Sequence, residues 1–128
     1  MLKSIAIGIT VVVTLFTGLI LFAKVPEPTD SNTTQVTGVV TNFSSPCCND
    51  LVVQLKGNNK RFYVNHGTEL LSVRKLNEAL RGREITLTQI DLKWHFWVGD
   101  LQPLSGISYG DSVVYSHHMW EAKRSEVN

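Results

Sequence analysis

Two short runs carry the residue types most suited to chemistry. Cys47 and Cys48 are adjacent and are the chain's two cysteines. Neighbouring α-carbons lie about 3.8 Å apart across a trans peptide, below the usual 4.4 Å minimum for a disulfide. A bond between them suits a redox switch. Two neighbouring thiolates also suit a soft metal ion. The plainest alternative is that both are packed apolar side chains. Two cysteines build neither a disulfide framework nor a four-ligand structural zinc site.

The second run is Trp94-His95-Phe96-Trp97. Its rings offer large apolar faces with a polar edge on Trp, which suits a stacking platform. Trp is also over-represented at partner hot spots and at the headgroup level of a bilayer. Against these stands closure of the open end of a small core. We take Trp94, His95, Phe96 and Trp97 as the candidate edge for a partner or ligand, and Cys47 and Cys48 as the candidate redox or metal pair.

Other groups are weaker. His117-His118-Met119 has soft-metal ligands but opens a polar tail. Arg74, Lys75, Arg81 and Arg83 gather at a helix end, where dipole complementarity explains them. Asp50, Asp91, Asp100 and Asp111 lack an evident partner. There is no nucleophile elbow, phosphate loop or His-Glu zinc motif. The reading leans away from an enzyme, and no cofactor is called for.

The elements that hold these residues follow from composition and period. The chain has 128 residues, with 12 Lys and Arg against 11 Asp and Glu. That balance argues against a nucleic-acid partner, which calls for a basic excess. Ser4 to Ala23 is uncharged, and Lys3 and Lys24 bracket it. Twenty helical residues span about 30 Å, the thickness of a bilayer core. A cleaved leader has a shorter apolar core and a small-x-small site, whereas Leu21-Phe22-Ala23 has Leu where a small residue is wanted. Residues 1–24 are therefore expected to form a single transmembrane signal-anchor, with the lipid bilayer as a partner. Ala6, Thr10, Thr14 and Gly18 recur every four residues, the spacing of small-xxx-small packing, which allows a homodimer through this helix. The slight Lys bias at the N-terminus places that end inside. The expected location is then a single-pass (inner) cell-membrane protein with its domain on the periplasmic, extracytoplasmic side.

Residues 25–33 hold Pro26 and Pro28 and read as a semi-rigid linker. From Thr34 the pattern turns to β. Gln35 to Phe43, Leu51 to Leu55 and Arg61 to Val64 read as strands, the last two joined by a turn at Gly57-Asn58-Asn59. Gly38 suits a bend. Thr68 is placed to cap a helix whose Leu70, Val73, Leu76 and Leu80 share one face, with Gly82 ending it. Glu84 to Asp91 alternates again. After a long loop from Lys93 to Pro103, Leu104 to Tyr109 and Val113 to Ser116 read as closing strands. Residues 34–116 are thus expected to form an OB-like five-stranded barrel with one helix between strands 3 and 4, and residues 117–128 a polar tail. An SH3-like barrel or an α+β sheet places the helix elsewhere.

Arg61-Phe62-Tyr63-Val64-Asn65-x-Gly67-x-Glu69, followed by Leu76, Leu80, Gly82 and Ile85, resembles a pattern of small bacterial membrane-anchored OB-fold-like proteins. The resemblance covers about the middle half of the domain and implies the fold alone. The periplasmic haem chaperone of cytochrome c maturation shares the outline, but its haem-attaching histidine stands four residues before a tyrosine. None of His66, His95, His117 or His118 does so.

An OB-fold binds ligands between the loop joining strands 1 and 2 and the loop joining strands 4 and 5. The cysteine pair falls in the first of these loops and the aromatic run in the second. The functional expectation is a membrane-tethered binding module for a protein partner in or near the membrane. The alternatives are a thiol redox or metal-handling protein using Cys47 and Cys48, and a small-ligand, haem-type carrier.

Overall fold

A computed structural model describes residues 3–4, 7–14, 27–92 and 101–127. Its centre is a closed barrel of five strands. They are β1 (Thr33–Ser44), β2 (Leu51–Leu55), β3 (Arg61–Val64), β4 (Glu84–Ile90) and β5 (Leu101–Tyr109). A sixth strand, β6 (Ser112–Ser116), pairs with β5 beyond the barrel. The hydrogen-bonded order is β3-β2-β1-β4-β5-β6, and a parallel β3–β5 pairing closes the ring. That closure sets Arg61 opposite Leu101 and Tyr63 opposite Pro103.

β1 serves both halves of the barrel. Thr33 to Val39 pairs with β4, and Val40 to Ser44 pairs with β2. The register shifts between Val40 and Asn42, where the strand turns the corner, as a bulge does by adding local twist. Alternation along each strand sends one set of side chains inward. Val40, Phe43, Val53, Leu55, Phe62, Val64, Ile85, Leu87 and Ile107 make the buried interior.

Between β3 and β4 the chain makes a 3-10 turn at Gly67–Glu69 and then helix α2 (Val73–Leu80). (α1 denotes the N-terminal helical residues 7–14.) Ser72, rather than Thr68, caps α2, accepting a hydrogen bond from the Lys75 N–H at 3.4 Å. Thr68 is held elsewhere, its N–H and hydroxyl both donating to the Asn49 carbonyl. Leu76 and Leu80 bury the inner face of α2 against the barrel.

Three expectations need correction. First, the expected membrane-spanning helix is not found among the described residues. Among the described residues, no helix is long and apolar enough to cross a membrane. The described helical residues there are 3–4 and 7–14. Within the 7–14 run the Thr14 hydroxyl donates to the Thr10 carbonyl at 2.8 Å. The transmembrane, single-pass and signal-anchor readings therefore find no support among the described residues. Second, the fold is not limited to a five-stranded barrel with one helix: the strand expected at Val113–Ser116 forms as β6 outside the barrel, and a C-terminal helix is added. Third, β5 begins at Leu101, three residues before the expected start, because Pro103 sits in the parallel pairing with Tyr63.

The expected polar tail is helix α3 (His118–Val127). Met119 and Trp120 pack against the core cluster, and the Met119 sulfur accepts the Ser116 N–H at 3.3 Å. At the other end, the Asn32 side chain accepts the Thr29 N–H at 2.6 Å and donates to the Glu27 carbonyl at 2.7 Å. These bonds close a turn directly before β1.

Candidate binding cleft

The outer face of β3 and the inner side of α3 face each other across an open cleft of about 540 Å³. Ligand sites of small molecules run from about 300 to 1,000 Å³. Tyr63 and Asn65 enter it from β3 and the turn beyond, and His66 and Glu69 continue the same wall. Ile90, Pro103 and Leu104 give the lining its aliphatic part. Tyr115, His117, Trp120 and Arg124 line it from β6, α3 and the link between them, and the exposed Glu27 completes the lining.

The sheet geometry explains why these side chains meet. Phe62 and Val64 point into the barrel, so Tyr63 between them points out. The parallel β3–β5 pairing brings Pro103 beside it. β5 then carries β6, and β6 carries α3, back over this face.

Burial raises the Tyr63 phenol above its ordinary pKa of 10.0, and the nearby Asp50 carboxylate raises it further. Burial also raises the Tyr115 phenol, opposed by a hydrogen bond with the Trp120 side chain. Both phenols therefore remain protonated donors at neutral pH. His117 Nε2 lies 3.3 Å from the Glu27 carboxylate, an ion pair when the imidazole is protonated. Lys123 reaches back to donate to the Glu69 carbonyl at 3.1 Å, with its ammonium 5.6 Å from the Trp120 ring centroid. The arrangement suits a ligand with an apolar body and polar edges.

The sequence candidates fall as follows. Cys47 and Cys48 are bonded to each other in the β1–β2 loop, and the loop is exposed. Trp94, His95, Phe96 and Trp97 lie outside the described residues, as do Ala6 and Gly18. Thr10 and Thr14 are exposed on α1. His117, His118 and Met119 turn to three different partners: Glu27, Glu121 and the Ser116 amide. Among the described residues, no cluster of three or more His, Cys, Asp or Glu is placed to hold a metal ion.

Sequence reasoning missed the cleft. Its walls come from residues 63–69, 90, 103–104 and 115–124, which only the barrel closure unites. The available signal was Trp120, a large aromatic in an otherwise polar tail.

No protein-family model matches the chain, and no curated protein matches it.

Proposed function

We propose that this chain is a binding module built on an OB-like barrel, with the β3–α3 cleft as its recognition surface. The strand order, the parallel β3–β5 closure and the single helix between β3 and β4 support the OB-like reading. The carrying observation is the cleft itself: Tyr63, Tyr115 and Trp120 line it together with Ile90, Pro103 and Leu104, and its charged residues Glu27, Glu69 and Arg124 are exposed. An apolar concavity with a few convergent polar groups is the usual form of a ligand site. The bonded pair Cys47–Cys48 favours an oxidising, extracytoplasmic setting, where disulfides persist.

An aromatic sulfonate, 8-anilinonaphthalene-1-sulfonate, is a suitable probe because it combines an apolar body with an anionic edge. Titrated into ¹⁵N-labelled protein, it should shift the amides of Tyr63, His66, Tyr115 and Trp120 together. Trp120→Ala should abolish the shifts, whereas Lys60→Ala, at a residue that does not line the cleft, should not. Shifts elsewhere, or none, would refute the cleft as the site.

A second reading rests on His66 and His117 lining the same cleft. Imidazoles are common ligands of haem iron, so a haem-type ligand is the alternative occupant. Haem added to the purified chain should then give a bound absorbance band that His117→Ala removes. An unchanged free-haem spectrum would end that reading.

A further inference from the structure

We propose that the Cys47–Cys48 bond is a thiol–disulfide exchange site for an external dithiol, and that its redox state sets the order of the 65–69 wall of the cleft. For its effect on binding, this rests on the cleft reading above.

Stapling the fold is a poor explanation for the bond. A disulfide stabilises by constraining the unfolded chain, and the effect grows with the length of the loop closed. Adjacent cysteines close the shortest loop a chain offers. What the bond does constrain is local backbone. Cys48 has φ 61° and Asn49 φ 63°, two consecutive left-handed residues that are not glycine. Asn tolerates that region, but an ordinary side chain such as Cys disfavours it. The small ring formed by the two side chains and their shared peptide limits the escape of Cys48 from it.

The turn so held is the anchor of the cleft wall. The Asn49 carbonyl accepts both the N–H and the hydroxyl of Thr68, at 3.0 and 2.8 Å. The Asp50 carboxylate accepts the His66 N–H at 2.9 Å. His66 is itself left-handed, with φ 53°. Thus three hydrogen bonds from residues 66–68 end on the two residues that follow the cysteine pair. His66 and Glu69 line the cleft. Cys47, Cys48 and Asn49 are exposed, so an external thiol reaches the bond without unfolding of the barrel.

The exchange balances simply. A thiolate of the dithiol attacks one cysteine sulfur, forming a mixed disulfide and releasing the other cysteine as a thiolate. The second thiol of the reductant then displaces the first cysteine. One S–S bond breaks in the protein and one forms in the reductant. Two electrons and two protons pass to Cys47 and Cys48, which become thiols. Cys48 is then free to leave the left-handed region, and the Asn49 carbonyl and Asp50 carboxylate turn away from their donors.

Dithiothreitol is the probe, with alkylation by iodoacetamide and amide hydrogen exchange as readouts. The untreated full-length chain should take up no alkyl group, and the reduced chain two. Reduction should speed exchange at His66 and Thr68 by about tenfold or more, with Phe62 and Leu87 unchanged, as expected of a local opening rather than a global one. Reoxidation should restore protection. Free thiols before reduction, or two thiols afterwards with His66 and Thr68 still protected, would overturn the proposal. The Cys47→Ser/Cys48→Ser variant should exchange like the reduced protein without any reductant. Oxidised-like protection in that variant would also overturn it, and the wild-type comparison decides the question if the variant does not fold. Failure of the sulfonate titration alone would remove the cleft reading and leave these exchange results standing.

Discussion

The side-chain amide of Asn77 on α2 pairs with both backbone groups of Phe43 on β1. Its oxygen accepts the Phe43 N–H at 2.7 Å, and its nitrogen donates to the Phe43 carbonyl at 2.9 Å. The side chain replaces a neighbouring strand at the point where β1 runs past α2. Buried backbone groups without partners are costly, so this pair fixes α2 against the barrel.

Asn77→Ala leaves both Phe43 groups unpaired and should destabilise the domain by about 2–3 kcal/mol. Asn77→Asp keeps the acceptor but sets a carboxylate against the Phe43 carbonyl, and should also destabilise. Urea unfolding should show a lower midpoint with an unchanged slope for both variants. An unaltered midpoint in Asn77→Ala would show that Phe43 finds other partners.

Two glycines should respond differently to a methyl group. A Cβ on Gly67 would lie 2.6 Å from the Leu51 Cβ and 2.9 Å from the Val64 Cβ, so the 3-10 turn must move off β2 and β3. Gly67→Ala should cost about 1–3 kcal/mol through overpacking, and it should disturb the amide signals of His66 and Glu69 in the cleft wall. Gly82 has φ 80° and nothing within 4 Å of its Cβ position. Gly82→Ala therefore meets only the left-handed penalty of about 1–2 kcal/mol and should leave the cleft signals in place. Thermal melts and amide spectra of the two variants separate the cases.

Much of the barrel was legible because inward and outward residues alternate. Leu51–Leu55 and Arg61–Val64 form strands where the β-branched and aromatic runs place them. Leu76 and Leu80 mark α2 by their four-residue spacing. The errors have physical causes. Thr68 and Ser72 are both capping residues, and the anchoring of Thr68 to Asn49 leaves the cap to Ser72. Pro103 disguised the start of β5, since proline lacks a ladder donor and argues against a central strand. The apolar N-terminal run satisfied length and hydropathy, yet among the described residues no helix is long and apolar enough to cross a membrane. The cleft was hidden because local pattern carries no record of which strand faces which helix. Tyr63 and Trp120 are far apart in sequence and meet only through β5, β6 and α3.

The tyrosines predict a fall of stability in alkali. Burial and the Asp50 charge raise Tyr63 in the folded state, and burial raises Tyr115. In the unfolded chain both ionise near pH 10. Above that pH the unfolded state releases protons that the folded state keeps, so it binds fewer protons and stability falls. The contribution is fully present below pH 10 and is lost as pH rises through the folded values. Tyr63→Phe should flatten the alkaline decline seen in urea midpoints, with little change at pH 7. Asp50→Asn should move the Tyr63 titration back towards its ordinary value.

Trp120→Phe isolates the link between Tyr115 and Trp120. The change keeps an aromatic ring against the core cluster and removes the indole N–H. Burial raises Tyr115, and the Trp120 side-chain hydrogen bond is the influence that lowers it. Without that bond the phenolate loses its stabilising donor, so Tyr115 should ionise at still higher pH. The phenolate absorbance titration of the variant should then show one tyrosine displaced upwards relative to wild type. At neutral pH the cost should be about 0.5–1.5 kcal/mol, the net worth of one hydrogen bond. A downward displacement would mean that the smaller ring admits water to the site, and that α3 shields Tyr115 mainly by bulk rather than by the hydrogen bond.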